Sequence, residues 1–166
     1  MKHNKILYLV RHAKSSWSSP GLGDRERPLN KRGQKDAPQM GTRLKHRSAC
    51  PNLILTSPAN RAQSTAALIA AELEPPHPEV SVHAQIYGAS PSDLIDLLRN
   101  VDNKHVQVML IGHNPDMTDL VNRLAGYCTD NLPTCSIATL EFATDDWHDI
   151  GTVAVRLIDL DYPKKS

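Results

Sequence analysis

The sequence lacks any long apolar run. Its one early hydrophobic stretch, Ile6–Val10, is too short for a signal-peptide core and far too short to span a bilayer, which predicts a protein that is neither exported nor held in a membrane. An excess of charge of either sign is also missing. With 19 basic and 18 acidic side chains the formal net charge is +1, so no broad field is available to hold nucleic acid or an anionic membrane surface, and any functional cations must be local. Cysteine is scarce. Cys50, Cys128 and Cys135 are odd in number and form none of the close pairs of a zinc site or redox motif, which fits free thiols in a reducing cytoplasm. No segment matches G-x-x-x-x-G-K-[ST], and His3, His46, His77, His83, His105 and His148 are scattered without ligand spacing. Neither a metal nor a cofactor is expected.

The 166 residues are 40% apolar and show no internal repeat or low-complexity segment, which predicts one domain over 1–166 whose core needs no partner, so that a monomer suffices. Short β-rich runs at Ile6–Val10, Leu53–Leu55, Val80–Val82 and Val106–Ile111 read as strands. Between them lie helix signals of one form. Ser57-Pro58, Ser90-Pro91 and Asn114-Pro115 each place a capping side chain before a proline suited to the first helical position. Apolar residues then recur at helical spacing: Ala59, Ala62, Ala66, Ile69 and Leu73; Leu94, Leu97 and Leu98; Leu120, Val121 and Leu124. A further helix is predicted from near Asn30, carrying Ala37, Met40 and Leu44, with Pro38 implying a kink or a late start. Ser136–Phe142 and Thr152–Leu160, joined by Thr144–Gly151, predict a hairpin or adjacent strands at a sheet edge. Alternating strands and helices define an α/β class, a three-layer α/β/α sandwich on a mostly parallel sheet, in which ligands bind where strands end and helices begin.

Three such junctions carry chemistry. Arg11-His12 follows the first strand, Arg61 lies one turn into the helix after Ser57-Pro58, and His113 follows the strand ending near Gly112. A parallel sheet would gather them at one edge. Two imidazoles and two guanidiniums among helix N-termini make a site for a tetrahedral anion, and phosphate is the obvious candidate. Taken singly, each has a plainer explanation, such as a solvated first-turn arginine or a capping histidine; their joint placement is what argues for function. Other phosphatase chemistries fit less well. A thiolate nucleophile would need an arginine six residues after a cysteine, where Thr56, Thr134 and Glu141 stand instead. Asp159-Leu160-Asp161 could offer an aspartyl nucleophile and acid, but no sheet is left to follow it.

Leu9-Val10-Arg11-His12, Leu55-Thr56-Ser57-Pro58 with Arg61, and Ile111-Gly112-His113-Asn114-Pro115 together resemble the three signatures of the histidine phosphatase superfamily, branch 1, whose fold is phosphoglycerate-mutase-like. Ala13 where many members have glycine, the short chain, and Arg27-Pro28-Leu29-Asn30 with Gly33 make it most similar to SixA-like phosphohistidine phosphatases. The resemblance implies that His12 is the nucleophile that becomes phosphorylated, that Arg11 and Arg61 bind phosphoryl oxygens, and that His113 stabilises the transition state. It also implies that Arg27 binds phosphate, whereas residue by residue an exposed loop arginine is an equally simple reading.

One departure stands out. Many relatives carry a carboxylate proton donor after the third core strand, where this chain reads Ile86-Tyr87-Gly88-Ala89-Ser90. Asp24, in the loop before Arg27, is the substitute candidate, since Asp93 is better explained as a first-turn helix residue. The expected partner is a phosphorylated protein or a small phosphorylated metabolite. Competing readings are a mutase-like phosphotransferase or small-metabolite phosphomonoesterase, disfavoured as a mutase by the missing acid, and a non-catalytic phosphate-binding module, disfavoured by the intact His12. Because side-chain cations supply the charge a metal would otherwise provide, turnover should survive exhaustive chelation while vanadate inhibits. Loss of activity with chelator and its recovery on adding a divalent ion would overturn that expectation.

Overall fold

A computed structural model describes residues 3–165. Strands and helices alternate: β1 (Lys5–Arg11), α1 (Lys31–His46), β2 (Leu53–Thr56), α2 (Asn60–Glu72), β3 (Glu79–Val82), α3 (Pro91–Arg99), β4 (Gln107–Gly112), α4 (Asp116–Ala125), β5 (Ile137–Phe142) and β6 (Val155–Asp161). All six strands form one sheet in the order β3-β2-β4-β1-β5-β6. The first four are mutually parallel; β5 runs antiparallel to β1, and β6 antiparallel to β5 at the far edge. The predicted terminal hairpin is therefore present, although Thr152 belongs to its turn, where its amide donates to the Asp149 carbonyl.

Central strands buried on both faces are apolar at nearly every position, and the two-residue period sorts their side chains into two cores. Leu7 and Leu9 of β1 join Val108 and Leu110 of β4 beneath α3 and α4. Tyr8 and Val10 join Met109 and Ile111 beneath α1 and α2. The result is the expected three-layer α/β/α sandwich. Among the described residues no helix is long and apolar enough to cross a membrane.

The helix starts follow local chemistry with two corrections. Asn30 caps α1 by accepting from the Gly33 amide at 2.9 Å, and Ser90 caps α3 in a reciprocal box with Asp93. Because α1 begins at Lys31 and runs through Pro38, the late start allowed for that proline does not occur. Ser57 is not the cap of α2. That helix starts at Asn60, and the Ser57 amide is still held by the sheet through the Ile111 carbonyl while its hydroxyl accepts from Ala59. Asn114 also sits one residue too early: Pro115, joined to it by a cis peptide, occupies the cap position of α4, and Asn114 Oδ1 reaches forward to the Thr118 amide and hydroxyl.

Gly33 explains how α1 reaches its place. A β-carbon there would lie 2.2 Å from the Lys14 carbonyl oxygen, a backbone atom that cannot swing aside, so only glycine lets α1 close on the segment that follows β1. Gly33→Ala is expected to cost about 1–3 kcal/mol as an overpacked site. Urea unfolding measures it, and an unchanged midpoint would show that the two segments do not need this contact.

Candidate active site

The sheet creates a crevice where β1 and β4 lie side by side. The chain leaves β1 towards α1 on one face and leaves β4 towards α4 on the other, the kind of divergence that opens a ligand site at the carboxyl ends of parallel strands. Arg11 and Gly112 are register partners at those ends, and the His12 amide donates to the Gly112 carbonyl at 3.1 Å. His12 and His113 are thus delivered to one crevice, with ring centroids 5.1 Å apart. On the other side, the Cys135 amide donates to both the Arg11 and His12 carbonyls, with Cys135 in the left-handed region at φ 61°.

His12 is buried, and its Nδ1 lies 2.8 Å from the Ala13 carbonyl oxygen. A carbonyl can only accept, so Nδ1 carries the proton and Nε2 keeps its lone pair. Burial first, then the neighbouring His113, Arg61 and Arg11, push the His12 pKa down to about 3 against the contrary pull of the Ala13 bond. The ring is neutral at physiological pH. His113 is lowered to about 4, chiefly by burial and then by Arg61, and its Nε2 lies 2.8 Å from the Ser57 hydroxyl.

Three arginines surround the imidazoles. Arg11 donates to the Leu132 carbonyl at 2.7 Å, and Arg61, in the first turn of α2, donates to the Asp24 carbonyl at 2.7 Å and to its carboxylate at 3.0 Å. Arg27 is not the exposed loop arginine of the simpler reading. It is 8% exposed, covered by the Trp17 ring at 3.5 Å, and donates to Ser15 Oγ and to the other oxygen of Asp24. The Nε atoms of Arg11 and Arg61 and Nδ1 of His113 are buried without a hydrogen-bond partner.

Asp24 joins the cluster as its counter-ion. Tyr87 donates a hydroxyl to it, and that bond, followed by Arg61 and Arg27, holds its pKa down to about 2. Held in this way, the Asp24 carboxylate is ionised at neutral pH and accepts from Arg61 and Arg27 at once. Sequence reasoning missed Tyr87, although it stands in the stretch searched for an acid, because the search was for a carboxylate. Among the described residues no three His, Cys, Asp or Glu side chains are placed to hold a metal.

Residues 7–86 match the model of the histidine phosphatase superfamily (branch 1). An uncharacterised chloroplastic protein of Arabidopsis thaliana is 31% identical over 155 residues, covering 88% of this chain and 70% of that one. An uncharacterised protein of Mycobacterium tuberculosis is 27% identical over 165 residues, covering 93% of this chain and 100% of its own. Among solved structures, a candidate phosphohistidine phosphatase SixA from Agrobacterium tumefaciens superposes with a TM-score of 0.81 at 27% identity, covering 96% of this chain and 99% of that one. The protein histidine phosphatase SixA complexed with tungstate gives 0.80 at 22% identity, covering 95% and 97%. The chain belongs to the histidine phosphatase superfamily, branch 1. Within it, this is a SixA-like phosphatase.

The depressed imidazole pKa values fix the sign of a pH effect. In the unfolded chain both histidines titrate near about 6.5, whereas the folded values are lower, so stability is complete above that pH and falls as the pH drops towards about 4. Each should steepen the loss by up to about 1.4 kcal/mol per pH unit over that window. Urea titrations of the wild type and His113→Gln, alongside NMR titration of the two rings, test this. A ring inflection near 6.5 would refute it.

Proposed function

We propose that this protein hydrolyses protein phosphohistidine through a covalent intermediate on His12. The observation that carries the proposal is the locked His12 tautomer, which leaves Nε2 unprotonated on a ring that has the guanidiniums of Arg61 and Arg11 for neighbours. In the first step the Nε2 lone pair attacks phosphorus and the P–N bond of the substrate breaks, its electron pair leaving on that nitrogen as neutral imidazole, because the other nitrogen of the leaving ring is already protonated. Water then attacks phosphorus, the P–Nε2 bond breaks, and inorganic phosphate departs with the His12 lone pair restored. Arg11, Arg27 and Arg61 bind the phosphoryl oxygens, and His113 adds a hydrogen bond or charge at the same oxygens as they crowd in the transition state.

The choice of substrate follows from the leaving group. An alkoxide needs a proton as it leaves, and lacking a donor costs on the order of 100- to 10,000-fold in rate. An imidazole, with a pKa near about 6.5, is protonated by solvent and leaves without help. With Asp24 ionised between two arginines, the site supports phosphohistidine over alkyl phosphates. A single domain spanning 1–166, acting on phosphorylated proteins and not on nucleic acid or membranes, completes the reading. Cytoplasmic location fits three cysteines that are free thiols.

Rapid quench with labelled substrate should trap acid-labile, base-stable label on His12, and His12→Ala should abolish turnover, whereas Arg61→Ala should mainly weaken phosphoryl binding. Acid-stable label on an aspartate, or activity retained by His12→Ala, would refute the nucleophile. For the substrate, kcat/KM should fall from a phosphohistidine peptide through an aryl phosphate to an alkyl phosphate. Equal turnover of the alkyl ester, lost selectively in Asp24→Asn, would make Asp24 the acid and a phosphomonoesterase the better description.

A further inference from the structure

Hydrogen-bond direction is often ambiguous around hydroxyls and imidazoles, but one chain of bonds here has a forced direction throughout. The Arg61 carbonyl can only accept, so the Thr65 hydroxyl donates to it, at 2.7 Å. The Ala13 amide can only donate, so the same hydroxyl accepts from it, at 2.9 Å. The other end of the Ala13 residue is the carbonyl that holds His12 Nδ1–H at 2.8 Å. Thr65 and Ala13 are wholly buried, so no solvent is at hand to replace a lost bond.

We infer that Thr65 is a positioning residue for the nucleophile: its hydroxyl ties the Ala13 backbone, which fixes the His12 ring, to the helical turn that presents Arg61. The inference rests on the reading of His12 as nucleophile. A helical threonine bonding back to the carbonyl four residues earlier is common and by itself only local. Here the oxygen has a second task, because α2 belongs to β2 and Ala13 to the exit of β1, two strands separated in the sheet by β4. Among the described residues no other side chain bonds the Ala13 amide. The neighbouring Lys14 carbonyl is held from another direction by the Asn30 amide, at 3.0 Å. Ala13 is thus set between α2 and the start of α1, and of the two attachments only the one through Thr65 leads to the helix that carries Arg61. Losing it frees the carbonyl that selects the tautomer and loosens the angle between the attacking nitrogen and the guanidinium that receives the phosphoryl oxygens.

Thr65→Val keeps the shape and removes the hydroxyl, whereas Thr65→Ser keeps the hydroxyl and removes a methyl group. The readouts are the 15N spectrum of the His12 ring in the free enzyme and kcat and KM for an aryl phosphate. In Thr65→Val the His12 signals should lose the pattern of a single Nδ1–H tautomer, and kcat should fall by roughly 10- to 100-fold, as expected for a misplaced reacting group, with KM changed far less. Thr65→Ser should restore both. An unchanged His12 spectrum in folded Thr65→Val overturns the inference, as does a Thr65→Ser variant as impaired as Thr65→Val, which would make the methyl packing responsible. If Thr65→Val does not fold, Thr65→Ser decides alone: a wild-type spectrum and kcat support the inference, and loss of either in the folded variant overturns it. A spectrum that changes while kcat does not, with no label trapped on His12, would instead mark the failure of His12 as nucleophile.

Discussion

The bond from His12 Nδ1 to the Ala13 carbonyl organises this molecule's chemistry more than any other contact. An imidazole can attack phosphorus only with an unprotonated nitrogen, and a backbone acceptor on one nitrogen leaves the other free without the aid of a carboxylate. Burial does the rest, since a proton added to the ring would place a charge beside His113, Arg61 and Arg11 in poor solvent. The bond is short-range, between adjacent residues, so its geometry depends on whatever holds the backbone at Ala13. That is why contacts from the Gly112 carbonyl, the Cys135 amide, the Thr65 hydroxyl and the Asn30 amide converge on four consecutive residues, Arg11 to Lys14.

The same crowding of cations that keeps the histidines neutral must itself be held together. Like charges close to one another repel, and Asp24 offsets this by accepting from Arg61 and Arg27 at once, with Tyr87 bonded to the Arg61-facing oxygen. A phosphoryl group entering the crevice meets guanidiniums already oriented. It also meets a carboxylate of like sign, so Asp24 aligns Arg61 and competes for it at the same time. Arg11, whose partner is the neutral Leu132 carbonyl, carries no such competitor.

Much of this was legible in the sequence because it depends on local rules. Strand ends, proline-marked helix starts and the two-residue period of β1 and β4 predict the layers, and the layers gather Arg11, His12, Arg61 and His113 at one edge. What could not be read depends on where side chains finish after the chain folds back. Ser57 has the appearance of a cap, but the sheet keeps hold of its backbone for one more residue and its hydroxyl goes to His113, 56 positions away. Arg27 could have been solvated, and its burial is decided by Trp17 and Ser15, neither of which forms a recognisable pattern with it. Tyr87 and Asp24 meet across 63 residues.

The loop that brings Asp24 and Arg27 to the crevice begins and ends at one point. Ser15 and Leu29 pair as an isolated antiparallel bridge, and the Ser16 amide donates to the Pro28 carbonyl, so the chain closes on itself before α1 begins. His12 lies on one side of this clasp and the whole excursion on the other. Substitutions, insertions and deletions between residues 16 and 28 can therefore accumulate without shifting the strand exit that carries His12. Because Asp24 and Arg27 both lie inside this closed loop, a change there alters the charge that meets an incoming anion, whereas the strand exit that carries His12 keeps its own anchors in the Gly112 carbonyl and the Cys135 amide.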